Sequence, residues 1–294
     1  MKLSVITGFT VATVLCLAAC AVNEAGAGTP VSAATTGVAL TGTLNAGGSS
    51  AQTAAQEAWR AGFQDHHPGV TVNYDPTGSG TGRTNFTDGG YTLAGTDAAF
   101  SRDAAGGAFA PCAAGSALVE IPAYISGIAI GFTLDGITSL NLDAATVARI
   151  FAGAITTWDD PAIANQNPGV ALPGTPVTAV HRSDKSGTTE NFTAWLAAAA
   201  PAAWPYPAAQ TWPDTLAGEA AEKTQGVRET VRGTTGAIAY LDASQATGLG
   251  IVAVKVGPAY VAPSAAGAAA AVGQSPLQPG RAATDVVIDL NRTL

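Results

Sequence analysis

LTGTLNAGGSSAQTAAQEAWRAGFQDHHPGVTVNY, residues 40–74, carries one full strand–helix–strand repeat. Leu40 to Asn45 reads as a strand. Ala51, Ala55, Trp59 and Phe63 then recur every four residues, one apolar stripe of a helix that must end before His67-Pro68. Val70 to Tyr74 is the next strand. Beyond it a Gly-rich loop, TGSGTG at 77–82, leads to a short polar helix over 84–88, and Leu93 to Thr96 returns to the sheet with Asp97 at the strand's carboxyl end. Strands that hand Gly/Ser loops to helix starts are the mark of an α/β fold.

The pattern continues outward. An apolar segment over 117–134, broken by Pro122 and Gly127, suits a strand leaving one lobe and another opening the next. Asp143 is placed to cap a helix through Phe151, and Asp159-Asp160-Pro161 sets a capping acid before a proline at a helical first turn. Val177 to Val180 is a strand, 181–188 a loop, and Phe192, Trp195 and Leu196 share one face of the following helix. Gly236 to Leu241 reads as a buried strand returning to the first lobe. The expected organisation is therefore lobe I over 40–121 plus 237–294 and lobe II over 122–236.

Composition narrows the function classes. The 294 residues are 47% hydrophobic and 12% charged, with Gly 35 and Pro 17, which excludes bulk disorder and argues against a helical bundle. Lys+Arg 13 against Asp+Glu 21 gives a net charge of −8 with no basic run, so nucleic acid is not an expected partner. Met1-Lys2 and the apolar run to Ala19 have the shape of a secretory signal over 1–19. Its end, Leu17-Ala-Ala-Cys20, is similar to a bacterial lipobox, which makes Cys20 the expected lipidated N-terminus and 20–39 a tether. Cys112 is then a single thiol in an exported chain, and no internal disulfide is expected.

Three loops share one design, small hydroxyl residues and glycines at a helix start: AGGSS at 46–50, TGSGTG at 77–82, and Ser186-Gly-Thr188. One such loop is ordinarily a turn or a cap. Three together offer free amides and hydroxyls to a tetrahedral oxyanion. Arg182 is a planar donor suited to two anion oxygens, and Asp184, two residues on, is placed to restrain it. Asp97 repels an anion unless the anion brings a proton, as phosphate does at neutral pH and sulfate does not. A buried acceptor left without its donor discriminates by a factor of about 10⁴ to 10⁵.

At this point the residues resemble a known family, the phosphate-binding proteins of bacterial ABC phosphate importers, the PstS family. The likeness spans about 40–249 and includes the AGGSS and TGSGTG loops, Gly95-Thr-Asp-Ala98, Ile150-Phe-x-Gly-x-Ile-x-x-Trp-Asp-Asp160, Asn167-Pro-Gly-Val-x-Leu-Pro173, Arg182-Ser-Asp-x-Ser-Gly-Thr188 and Gly236-Ala-Ile-Ala-Tyr240. The resemblance implies a type II periplasmic-binding-protein fold, two α/β lobes joined by two crossings, with phosphate in the cleft. Carried over by position, Ser49 and the amide of Ser50 bind from the first loop and Ser79 from the second. Asp97 accepts the phosphate proton, and Arg182, Ser186, Gly187 and Thr188 bind from the other lobe, with Asp184 orienting Arg182. Family members usually continue beyond the equivalent of Asn291 and complete the first lobe there, so a lobe I incomplete at its C-terminal end is expected.

The implied role is extracytoplasmic: a monomer anchored only by lipid, passing inorganic phosphate to an ABC permease and its ATPase, with no cofactor, metal or catalytic residue. Another oxyanion (sulfate or molybdate), or a sensing role, is the alternative on the same fold. An esterase or phosphatase finds little equipment: no Ser lies in G-x-S-x-G, there is no H-E-x-x-H, and the histidines are His66, His67 and His181. The loops also miss the spacing of a dinucleotide fingerprint and of a P-loop.

Overall fold

The structure, a computed structural model, describes residues 39–293. The signal segment, Cys20 and nearly all of the tether lie outside the described residues. The elements in chain order are β1 (Gly42–Gly48), α1 (Thr53–His66), β2 (Val70–Asp75), α2 (Ser79–Thr87), β3 (Leu93–Gly95), α3 (Arg102–Ala105), β4 (Ile128–Phe132), β5 (Ser139–Leu142), α4 (Ala144–Phe151) and α5 (Pro161–Ala164). They continue with β6 (Thr178–Arg182), α6 (Gly187–Ala199), β7 (Glu219–Ala221), α7 (Lys223–Gly233), β8 (Ala237–Asp242), β9 (Gly250–Val256), β10 (Ala259–Val261) and α8 (Ala265–Gly273). Among the described residues, no helix is long and apolar enough to cross a membrane.

Two sheets organise these elements. The first, in order β2-β1-β3, is wholly parallel, with α1 and α2 as the crossovers. The second has seven strands in order β10-β9-β4-β8-β6-β7, with β5 beside β9. Its pivot is β8, whose six residues, Ala-Ile-Ala-Tyr-Leu-Asp, are all buried. Successive side chains of a strand point to opposite faces. Ile238 and Tyr240 accordingly enter the cluster of Phe132, Phe151, Trp158 and Phe192, while Ala237, Ala239 and Leu241 meet Val227 and Val231 of α7. Burying each large apolar side chain stabilises by about 1.5 to 3 kcal/mol relative to exposure. The local signals for α4 and α5 hold: Asp143 accepts from the Thr146 amide at 2.7 Å, and Asp160 from the Ala162 amide at 2.7 Å.

Three expectations change. The return at 237 is displaced, because β8, β9 and β10 all lie in the larger sheet and the smaller draws its strands from 42–95 alone. A strand buried on both faces looks the same whichever sheet receives it. The chain comes back later: Glu120 pairs with Asp285, Leu277 with Ile288, and Arg281 donates to the Phe100 carbonyl at 2.6 Å. The apolar stripe of α1 is not buried, with Trp59 43% and Phe63 37% exposed, and Leu44 and Leu93 of the three-stranded sheet are exposed as well. Finally, α2 begins at Ser79 rather than near 84, since the glycines from Gly80 onward already turn as helix.

The returning segment is fixed by one guanidinium facing two carboxylates. Arg281 contacts Asp285 at 2.8 and 2.9 Å and Glu120 at 3.5 Å, and the Phe100 amide donates to Glu120 at 3.2 Å. Burial raises the Glu120 carboxyl to about 7, opposed by the Phe100 amide and Arg281 and reinforced by Asp285. A folded-state pKa above the unfolded one contributes stability that is complete at low pH and lost as pH rises through the folded value. Stability to urea should therefore decline between about pH 5 and about pH 8, and Glu120→Gln should flatten that decline. An unchanged slope in the variant would remove Glu120 as its cause.

Candidate functional site

The loops singled out in the sequence meet at one place. β1 ends in Gly48, whose φ of +129° and contact with the Gly95 carbonyl exclude a side chain. That approach lets the Ser49 amide donate to Gly95 O at 2.7 Å, while the Tyr74 hydroxyl donates to Ser49 O at 2.9 Å. Ser49 is fully buried, and its hydroxyl donates to Asp97 Oδ1 in a short hydrogen bond. From the start of α6, Thr188 Oγ1 donates to the other oxygen, Asp97 Oδ2, at 3.0 Å. The Asp97 amide donates to Ser79 Oγ at 3.2 Å, and Asn191 Nδ2 donates to the Asp97 carbonyl at 2.7 Å. Asp97 thus ties the end of β1 and the start of α6 through its carboxylate and the start of α2 through its amide.

Arg182 stands at the end of β6, 4% exposed, where Nε and Nη2 grip Asp184 Oδ1 and Oδ2 at 2.7 and 2.5 Å. This fork fixes the guanidinium plane. Gly78, just before α2, packs against the Asp184 carboxylate, and its missing Cβ would lie 3.5 Å from Arg182 Nη2. The Gly80 amide donates to Lys185 O at 3.0 Å. Gly187 is required by proximity, since a Cβ there would sit 2.7 Å from the Ala98 nitrogen and 2.8 Å from Asp97.

The remaining serines are both buried, and their side chains have protein partners. Ser186 caps α6 by accepting from the Thr189 amide at 3.2 Å, which leaves its O–H to donate. Ser50 Oγ accepts from the Thr224 amide at 3.1 Å and lies 3.0 Å from Thr224 Oγ1, so its side chain joins the two sheets. Gln245 Nε2 reinforces the join by donating to Ser50 O at 3.0 Å.

Burial raises the Asp97 carboxyl above the carboxylate range, against the lowering effect of Ser49, Thr188 and the Arg182 charge. Burial also acts to raise Asp184, but the hydrogen bonds and charge of Arg182, with the Lys223 amide, outweigh it and leave that carboxyl depressed. The pair of acids is thereby divided: Asp184 is held as an anion by its arginine, and Asp97 is ready to accept a shared proton. Among the described residues no group of three or more His, Cys, Asp or Glu is placed to hold a metal.

All of Ser49, Ser50, Ser79, Asp97, Arg182, Asp184, Ser186, Gly187 and Thr188 belong to this one cluster. Sequence reasoning missed its supports. Arg83 donates to Thr96 Oγ1 and Ala98 O at 2.7 Å each and also bonds Gln210, bracing the Asp97 loop. Tyr240, its phenol pushed up to about 12 by burial, accepts from the Arg182 amide at 3.2 Å and meets Thr189 Oγ1 at 2.8 Å. Tyr240 lay within a quoted motif, a signal that pointed to it without giving it a role.

Comparison with known proteins identifies the superfamily. A model of the PBP superfamily domain matches residues 32–288. The phosphate-binding protein PstS 3 of Mycobacterium leprae is 38% identical over 223 residues, covering 76% of this chain and 58% of that protein. The phosphate-binding protein PstS2 of Mycobacterium bovis is 36% identical over 205 residues, covering 70% of this chain and 55% of that one. The chain thus spans little more than half the length of these curated relatives. A solved high-affinity periplasmic phosphate-binding protein with bound phosphate superposes with a TM-score of 0.65 at 24% identity, over 81% of this chain and 70% of that one. A phosphate ABC transporter substrate-binding protein from Clostridium perfringens gives 0.56 at 18% identity, over 72% and 76%. A match over most of its length, a shared fold and PstS proteins among its relatives make this chain a member of the PBP superfamily.

Proposed function

We propose that this chain binds inorganic phosphate between its two sheets and serves, on the extracytoplasmic face of the membrane, as the substrate-binding component for an ABC permease and its ATPase. The observation that carries the reading is a half-buried acid, Asp97, set among hydroxyl donors beside a guanidinium fixed by its own carboxylate. Such an acid opposes a fully deprotonated anion and accepts from a protonated one. On binding, the Ser49 and Thr188 hydroxyls rotate from Asp97 to phosphate oxygens, and the phosphate O–H takes their place on Asp97. Ser79, Ser186 and the amides of Ser50, Gly187 and Thr188 supply further donors, and Arg182 spans two oxygens. Hydrogen bonds to charged groups contribute about 1.5 to 3 kcal/mol each, so a handful exceeds the roughly 8 kcal/mol of micromolar affinity before closure costs.

The role is binding without chemistry. PstS phosphate-binding proteins among the relatives support it, and the signal-like segment over 1–19 with the lipobox-like Leu17-Ala-Ala-Cys20 supports attachment through a lipid on Cys20.

Isothermal titration with phosphate and with sulfate tests the reading, and comparable affinity for both would overturn it. Arg182→Ala should weaken phosphate binding by about 100-fold or more, with circular dichroism confirming the fold, since it removes a buried charged donor pair. Unaltered affinity would exclude Arg182 from the site. Asp97→Asn exchanges an acceptor for an amide that also donates, so the preference for phosphate over sulfate should shrink by about 100-fold or more. Full selectivity in that variant would refute the proton argument.

A further inference from the structure

The one residue other than glycine with a left-handed backbone among the described residues is Lys223, at φ +61°, and it opens α7. L-residues adopt that conformation at a cost and keep it only where surrounding contacts enforce it. The enforcing contacts lead to the site. β7 is paired with β6 so that Ala221 lies opposite Arg182, and the Ser183 amide donates to Ala221 O at 3.0 Å. Two residues beyond that register the chain must turn into a helix above Asp184. The left-handed turn at 223 aims the Lys223 amide at Asp184 Oδ1, 3.0 Å away. The next amide, of Thr224, goes to Ser50 Oγ. Glu222 offers α7 no side-chain cap, so these amides find their acceptors in the two loops of the binding cluster. The Lys223 ammonium turns away, 3.5 Å from Glu222 Oε1.

We propose that Lys223 is a positioning residue whose backbone amide, presented by the left-handed turn, holds the Asp184 carboxylate in the plane that orients Arg182 toward the anion. The inference deepens the phosphate reading and uses it for one of two measurements. The groups facing Asp184 are the Arg182 guanidinium and the Lys223 amide, with Gly78 packed against the carboxylate.

Phosphate titrations compare the wild type with Lys223→Val, whose branched side chain resists the left-handed region, and with Lys223→Gly, which accepts it. Lys223→Val should lose about tenfold in affinity, and Lys223→Gly should recover most of that loss. In an Asp184→Asn background the same Val substitution should cost about twofold or less. Equal affinities for the Val and Gly variants, or an undiminished loss in the Asn background, would overturn the proposal. Should Lys223→Val not fold, the ester analogue at position 223 deletes the N–H alone and should show the same tenfold loss, with unchanged affinity counting against the proposal.

The second measurement needs no ligand. A depressed carboxylate contributes stability above its unfolded pKa and loses it as pH falls through the folded one. Removing a donor raises the folded value, so the acid limb of thermal unfolding should move to higher pH in the ester analogue. A limb that stays in place rejects the role of Lys223, whereas a wild type that takes up no phosphate rejects only the reading of the ligand.

Discussion

A carboxylate held between two hydroxyls is the constraint on which the rest of the arrangement depends. Asp97 is half-buried and burial disfavours its charge, so without hydrogen-bond partners it would be costly to keep ionised. Its partners come from far apart in the chain: Ser49 from the end of β1 and Thr188 from the start of α6. Satisfying one side chain therefore requires the smaller sheet and the larger sheet to meet, and the glycines at 78 and 187 are there because that meeting leaves no space for a Cβ.

Helix N-termini do the same work in several places. The starts of α2, α6 and α7 all converge on the cluster, and each directs free amides or a capping hydroxyl toward it. The arrangement concentrates partial positive charge without adding ionised groups. Arg182 is the exception, and its charge is matched by Asp184. The two acids serve opposite purposes for a physical reason: one lies in a fork of charged donors that keeps it ionised, and the other meets neutral hydroxyls that a guest can displace.

Much of this was legible in the sequence, where the information is local. The strand–helix alternation from Leu40 to Tyr74, the caps at Asp143 and Asp160, and the Gly/Ser loops all have signatures within a few residues. Asp97 and Arg182 stood out because each lies at a strand's end beside such a loop, and Asp184 because it lies two residues from Arg182. What was not legible depends on distant pairing. Thr224 and Gln245 reach Ser50 across 174 and 195 residues, and nothing near them in the chain announces it. The sheet to which β8 belongs was misread for a related cause, since six buried residues state that a strand is central without stating to what. The four-residue stripe of α1 correctly gave a helix, but a periodicity cannot say how much of its face the neighbouring strands will cover.

The charge balance says which physical property does the selecting. The chain is acidic overall, at −8, and the cluster itself holds two carboxylates against one guanidinium. A site built for attraction by net charge would be arranged the other way, and would accept any small dianion with little preference. On the proposed reading the local charges give an anion no net attraction, so affinity would rest on the number and direction of hydrogen-bond donors. Discrimination would then rest on one acceptor that an unprotonated guest cannot satisfy. On the proposed reading, such a site gives up long-range attraction and gains a test of protonation at contact, by which an acidic protein would distinguish two tetrahedral anions of nearly the same size.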